Sequence, residues 1–182
     1  MKGIILLGDY FEETEALSCV DVLKRAGEEI TLVSVMQTLQ VFTKSGYQII
    51  AEKYLDEIKE SDYDYLILPG GKAAFTILNE DSRVELLISQ FIKSDKLVAS
   101  ICAAPHLLGR KGYFNNLDYT IFPGFEKYCI SGNYQKDKGV VIAKNFITAK
   151  SMYYTIEFAL AIIYYLYDEN KARQVWLNCK GE

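Results

Sequence analysis

Histidine is almost missing from this chain: one in 182 residues, at position 106. That scarcity narrows proton-transfer chemistry to carboxyl groups, thiols and backbone amides unless His106 itself reaches a site. The four cysteines, Cys19, Cys102, Cys129 and Cys179, form no Cys-x-x-Cys pair, so neither a zinc site nor any other metal or cofactor is expected. Only three prolines and twelve glycines are present, which excludes collagen-like and low-complexity chains. No basic cluster occurs, and 20 Lys+Arg against 24 Asp+Glu give 20 − 24 = −4. Such a chain offers no electrostatic footprint for nucleic acid or an anionic membrane surface. The longest apolar stretch, Met152 to Tyr167, is broken by Glu157 and falls short of the roughly 18–20 residues a bilayer span requires. Met1-Lys2 leads straight into Ile4–Gly8, too short a run for a secretory core, so reduced thiols and a cytoplasmic location are expected.

What is present is a core. Half the residues are hydrophobic and 24% are charged, the balance of a globular protein, and the length suits one domain over 1–182. Short apolar runs bounded by turn residues alternate with helical patterns. Lys2–Leu7, Ile30–Val35, Tyr65–Leu68 and Leu97–Ile101 read as buried strands, since continuous Ile/Leu/Val runs suit a parallel sheet covered on both faces. Glu12–Ala26 reads as an amphipathic helix stopped by Gly27, and Ser82–Lys93 as another, opened by Asp81 or Ser82. Leu39–Phe42 and Tyr47–Ala51 form a hairpin pattern around Lys44-Ser45-Gly46. Tyr119–Phe122, Val140–Ala143 and Asn145–Thr148 read as shorter strands, followed by helices over Met152–Tyr167 and Asp168–Leu177. This alternation predicts an α/β three-layer sandwich, its sheet mostly parallel with helices on both faces. In such sheets ligands bind beyond the carboxyl ends of the strands. Gly8–Glu15, Pro69–Lys72 and Cys102–Pro105 leave strands at that end.

The strongest chemical signal is Ser100-Ile101-Cys102-Ala103-Ala104-Pro105-His106. A nucleophile sits where a buried strand turns toward a helix, with small residues two places either side, the pattern of a nucleophile elbow. A helix start at this corner would favour thiolate over thiol. The plainer alternative is a small buried core cysteine. Leu68-Pro69-Gly70-Gly71 ends a second strand, and two glycines let backbone N–H groups approach a ligand; alone, such a tripeptide is more often a turn. Paired with the elbow, the Gly71 and Ala103 N–H groups become candidates for holding an oxyanion. Asp9, Glu12, Glu13 and Glu15 leave the first strand, and any of them could bring a carboxyl group to the thiol. His106 suits a helix face or an interface better than a partnership with Cys102, because the cysteine side chain projects from the preceding corner. The paired tyrosines of Tyr153-Tyr154 and Tyr164-Tyr165 fit a helix rim or a dimer surface.

Several motifs in order carry a resemblance over nearly the whole chain: Glu12-Glu13-Thr14-Glu15, Val20–Gly27, Tyr63–Gly71, Ala99–Pro105 and Ile156–Ala161. The chain resembles the ThiJ/DJ-one/PfpI superfamily, related in fold to class I glutamine amidotransferases. The resemblance implies a flavodoxin-like sandwich, commonly a homodimer. It implies a reactive Cys102, a partner acid at Glu15, and an anion site at Gly71 and Ala103, with Gly70, Phe122 and Lys150 about the pocket. It also implies activities of two kinds: glyoxalase- or deglycase-like action on a small carbonyl substrate, or a redox-sensing or chaperone-like role through oxidation of Cys102. The departures are specific. Ala103 stands where many members carry a histidine after the cysteine, Tyr119–Pro123 lacks the histidine of a Thr-His-Pro-like segment, and Lys150-Ser151-Met152-Tyr153 replaces an Arg-Gly-Pro-Gly stretch. A Cys-His-acid hydrolase is therefore not expected.

Overall fold

A computed structural model describes residues 1–182. Its centre is β1 (Lys2–Leu7), whose Ile4 to Leu7 have no solvent exposure. That burial explains the unbroken apolar run: helices cover both faces, so neither side of the strand needs polar residues. β1 pairs in parallel with β2 (Glu29–Ser34) on one side and β6 (Tyr65–Leu68) on the other. β7 (Leu97–Ile101) extends the sheet beyond β6, and β11 (Phe146–Ala149) lies beyond β7, both parallel. Two short edges complete it: β10 (Val140–Ala143), antiparallel to β11, and β5 (Lys53–Tyr54), parallel to β2. The order is β10-β11-β7-β6-β1-β2-β5, a flavodoxin-like sandwich as expected.

α1 (Cys19–Arg25), α6 (Thr155–Leu166) and α7 (Glu169–Lys180) pack together, and α6 covers β11 and β7. α4 (Ser82–Lys93) packs on β6 and β7, burying Val84, Leu87, Ile88 and Phe91 along one stripe. Its cap is Asp81, whose carboxylate accepts the Arg83 N–H at 2.9 Å. β3 (Gln40–Phe42) and β4 (Gln48–Ile50) form the expected hairpin, outside the main sheet.

Three expectations are corrected. Glu12–Ala26 is not one α-helix: a π-helical turn over Thr14–Ser18 precedes α1. Tyr119–Phe122 does not join the main sheet; β8 (Asp118–Tyr119) pairs instead with β9 (Asn133–Tyr134) in a two-stranded ribbon. The elbow does not lead directly into a helix either. After Cys102 the chain makes turns, and α5 (His106–Gly109) has four residues. Two further short helices, α2 (Lys72–Phe75) and α3 (Ile77–Glu80), fill the connection from β6 to α4, where the sequence carries no strong periodicity.

Candidate active site

Parallel strands β1, β6 and β7 all end at one pole, so their exits meet. Cys102, directly after β7, has φ +62°, a left-handed conformation that a non-glycine residue rarely adopts. Two backbone hydrogen bonds hold it there. The Cys102 N–H donates to the Ala149 carbonyl of β11 at 2.9 Å, and its carbonyl accepts the Phe122 N–H at 2.9 Å. The Tyr119–Phe122 segment thus serves as a brace for the elbow rather than as a sheet strand. Strain held by surrounding structure in this way is common where a side chain must be presented to a ligand.

Of the four candidate acids, Glu15 is the one brought to the thiol. It lies on the π-helical turn after β1 and is 1% exposed; widened turns of this kind are frequent at functional positions. Its Oε2 accepts the Gly70 N–H at 2.8 Å, and its carboxyl group stands beside Cys102, the two side chains meeting over Gly70. Asp9 is used elsewhere, accepting the Phe42 N–H at 2.9 Å. Glu12 faces the opening and accepts from Lys44 Nζ at 2.9 Å.

The glycines answer to close approach. A Cβ on Gly70 would lie 2.6 Å from Glu15 Oε2 and 2.7 Å from Cys102 Cβ, so only a bare backbone fits between acid and thiol. Gly71 has φ +83°, and a Cβ there would meet the Glu12 nitrogen and Tyr10 carbonyl at 2.5 Å. Both the Gly71 and the Ala103 N–H groups lie near enough to the Cys102 sulfur to favour its charged form.

Burial governs the electrostatics. It raises the Glu15 carboxyl to about 7, against the opposing hydrogen bonds from Cys102 and Gly70, with Glu12's charge adding to the rise. Burial also pushes the Cys102 thiol well above its ordinary range, and the neighbouring Glu15 charge pushes it further. The Ala103 and Gly71 N–H groups pull the other way without prevailing. The expectation that a helix end would make Cys102 a thiolate is therefore corrected: a four-residue helix beginning at His106 supplies too little field. Two buried acids in contact resist carrying two charges at once, so ionising one holds the proton on the other.

A cleft of about 320 Å³ opens onto Cys102, with Glu15 buried behind it, and is walled by Gly71, Ala103, Phe122, Phe125, Phe75 and the Glu12–Lys44 pair. Lys72 stands at its edge, its ammonium 5.3 Å from the Tyr10 ring centroid. Phe122 thus lies at the opening, whereas Lys150 does not: its ammonium is tied to the Lys136 carbonyl, away from the cleft. His106 is buried, with Nδ1 2.7 Å from the Ala103 carbonyl and Nε2 3.1 Å from the Asn79 side-chain oxygen. Both ring nitrogens are occupied, so neither is free to serve Cys102. Lys44, Phe75 and Phe125 escape sequence reasoning, since nothing in their local patterns sets them apart from surface residues, and Glu12 is singled out there only as a candidate partner of the thiol, not as the partner of Lys44. Lys72, immediately after Gly71, was the nearest to a readable signal.

No group of three or more His, Cys, Asp or Glu side chains is placed to hold a metal ion. No helix is long and apolar enough to cross a membrane.

A strained cysteine at the exit of a central parallel strand, facing a buried carboxyl group, defines an α/β protein of the nucleophile-elbow class. The chain belongs to the DJ-1/PfpI family, whose model matches residues 1–164. It is 30% identical to protein dj-1beta of Drosophila melanogaster over 175 residues, covering 96% of this chain and 94% of the relative. A deglycase of Pyrococcus abyssi is 28% identical over 151 residues, covering 82% and 90% of the two chains. The solved structure of oxidized Toxoplasma gondii DJ-1 superimposes with a TM-score of 0.89 at 26% identity, covering 98% of this chain and 97% of the other.

Proposed function

We propose that this protein acts on small reactive carbonyl compounds, in glyoxalase- or deglycase-like fashion, with Cys102 as nucleophile and Glu15 as acid and base. The observation that carries this is the buried Glu15–Cys102 contact, with the carboxyl group raised to about 7 and so able to exchange protons near neutrality. With a 2-oxoaldehyde the balance closes without a cofactor. The thiol S–H adds across the aldehyde C=O: a C–S bond forms, and the thiol proton passes through Glu15 to the oxygen. Glu15 then removes the proton from that carbon and returns one to the neighbouring carbonyl carbon. The first carbon is oxidised to a thioester and the second reduced to an alcohol, and water releases a 2-hydroxy acid. In this reading the Gly71 and Ala103 N–H groups, both beside Cys102 in the cleft wall, hold the developing oxyanion.

The test is lactate formation from methylglyoxal by the whole chain, by Cys102→Ser and by Glu15→Gln. Turnover lost in both variants supports the reading; full turnover in either sinks it. A relative named deglycase is consistent with the same chemistry.

A second reading is favoured by one observation, the occupation of both His106 nitrogens, which leaves the thiol no imidazole base. There Cys102 is a redox sensor: peroxide oxidises it to a sulfinic acid that the Glu15 carboxyl group holds by a hydrogen bond, without turnover. Graded peroxide with mass spectrometry separates the two, because this reading requires Cys102 to gain two oxygens before the other three thiols react. We also propose a cytoplasmic homodimer; exposed Tyr47, Ile50, Tyr153 and Ile156 supply apolar area for association.

A further inference from the structure

Beside the Cys102 cleft lies a second compartment of about 450 Å³, and the reaction proposed above makes no use of it. Phe75 and Phe125 belong to both, their ring centroids 5.4 Å apart, so this aromatic pair is the partition between them. Ala103 joins them as well: it lines the cleft beside Cys102, while its carbonyl accepts from His106 at 2.7 Å. The far walls are Asn79, His106, Arg110 and Tyr128. They come from α3, α5, the residue closing α5, and the turn over Glu126–Tyr128.

The wall chemistry is selective. Burial lowers the His106 pKa, and Nδ1 donates to the Ala103 carbonyl at 2.7 Å. Arg110 is the wall residue that carries a permanent charge. Its attachment elsewhere is weak: one nitrogen reaches Glu85 at 3.4 Å, and Glu85 is already held by Lys111 at 2.7 Å. Arg110 Nε lies out of solvent with no acceptor at all. A buried guanidinium N–H without a partner is costly to leave unmade, and its fork suits a carboxylate or phosphate. Phe125 and Tyr128, with centroids 5.8 Å apart, line the path with flat apolar surface.

We infer that this compartment is a specificity subsite for an oxyanion carried on an apolar or planar spacer, with Arg110 as the binding residue. Resting on the carbonyl reading of the Cys102 cleft, the inference defines the preferred substrate class: carbonyl compounds whose far end bears a carboxylate or phosphate. The carbonyl sits at Cys102, the spacer crosses over the Phe75–Phe125 pair that both compartments share, and the anion meets Arg110.

The single histidine supplies a direct reporter, since one imidazole resonance comes from this wall. The intact protein is titrated with phenylacetate, phenyl phosphate and uncharged phenylacetamide while the His106 resonance is followed. At least one anion should shift it saturably and bind at least about tenfold more tightly than phenylacetamide, the scale of one charge-assisted hydrogen-bond pair. The tighter anion names the group. Arg110→Gln should erase that advantage and Arg110→Lys should restore part of it. Equal binding of anions and amide, or no saturable shift with either anion, overturns the subsite; the unsubstituted protein decides this even where Arg110→Gln fails to fold. None of the probes carries an aldehyde, so the titration stands apart from turnover. Anion binding with no 2-oxoaldehyde turnover keeps the subsite and removes the enzyme reading; turnover without anion binding does the reverse.

Discussion

Glu15 and Gly70 are fitted to one another within the space of a methyl group. The Glu15 carboxylate accepts the Gly70 N–H at 2.8 Å, and a Cβ on Gly70 would stand 2.6 Å from the same oxygen. The acid, the strand exit and the thiol therefore form one packed unit. In Gly70→Ala the new methyl group must displace either Glu15 or Cys102. We expect a stability loss of about 1–3 kcal/mol, the cost of overpacking. Urea unfolding measures it, and turnover should fall in the molecules that remain folded.

The raised Glu15 group links stability to pH with a defined sign. Its ordinary value is 4.5 and its folded value about 7, so between those limits the folded state holds the proton more tightly. Stability should fall as pH rises from 4.5 to 7, by up to about 3 kcal/mol, and level off above. Glu15→Gln cannot titrate and should flatten this part of the curve. Denaturant midpoints recorded across that range check it; an unchanged slope in the variant refutes the assignment.

Cys102 should be a slow thiol at neutral pH in the resting protein. Its burial and the Glu15 charge both hold the proton on sulfur, so iodoacetamide alkylation should rise with pH beyond the range of an ordinary thiol. Removing the charge in Glu15→Gln should speed alkylation near neutrality by about tenfold, corresponding to one pK unit. Peptide mapping distinguishes this site from Cys19, Cys129 and Cys179. A slower reaction in Glu15→Gln would contradict the arrangement.

Glu12 and Lys44, paired at the cleft mouth, act on Glu15 with opposite signs. The Glu12 charge raises the Glu15 pKa and the Lys44 charge lowers it. Glu12→Gln should therefore move the acidic limb of the pH–rate profile downward, and Lys44→Met should move it upward. Neither substitution should change stability by more than about 1 kcal/mol, because Lys44 is largely exposed and solvent screens the pair. Shifts in the same direction would show that the acidic limb belongs to another group.

The strands were legible because burial writes itself into composition. Lys2–Leu7 and Leu97–Ile101 coincide with β1 and β7, since a strand covered on both faces must be apolar throughout. Legible too was the corner at Cys102, where small residues flank a nucleophile. The Tyr119–Phe122 segment misled for a related reason: apolar residues report burial, and Tyr119 to Ile121 are buried beside the elbow rather than paired in the main sheet.

From sequence alone came the order of strands and helices, the thiol at a strand exit, and the near absence of imidazole chemistry. Sequence patterns also brought an acidic segment to the same pole, but four carboxyl groups there were equivalent on paper. Only the tertiary structure chose Glu15, because the π-helical turn aims that side chain inward to Gly70 while Glu12 faces Lys44 at the opening. It alone decided the protonation of the pair, since desolvation depends on what chains distant in sequence pack around a group. The second compartment is likewise invisible in one dimension: Phe75, Arg110 and Tyr128 become neighbours only when three separate connections fold onto one end of the sheet. Local patterns record which residues leave water; where their polar ends meet is set by the packing between elements.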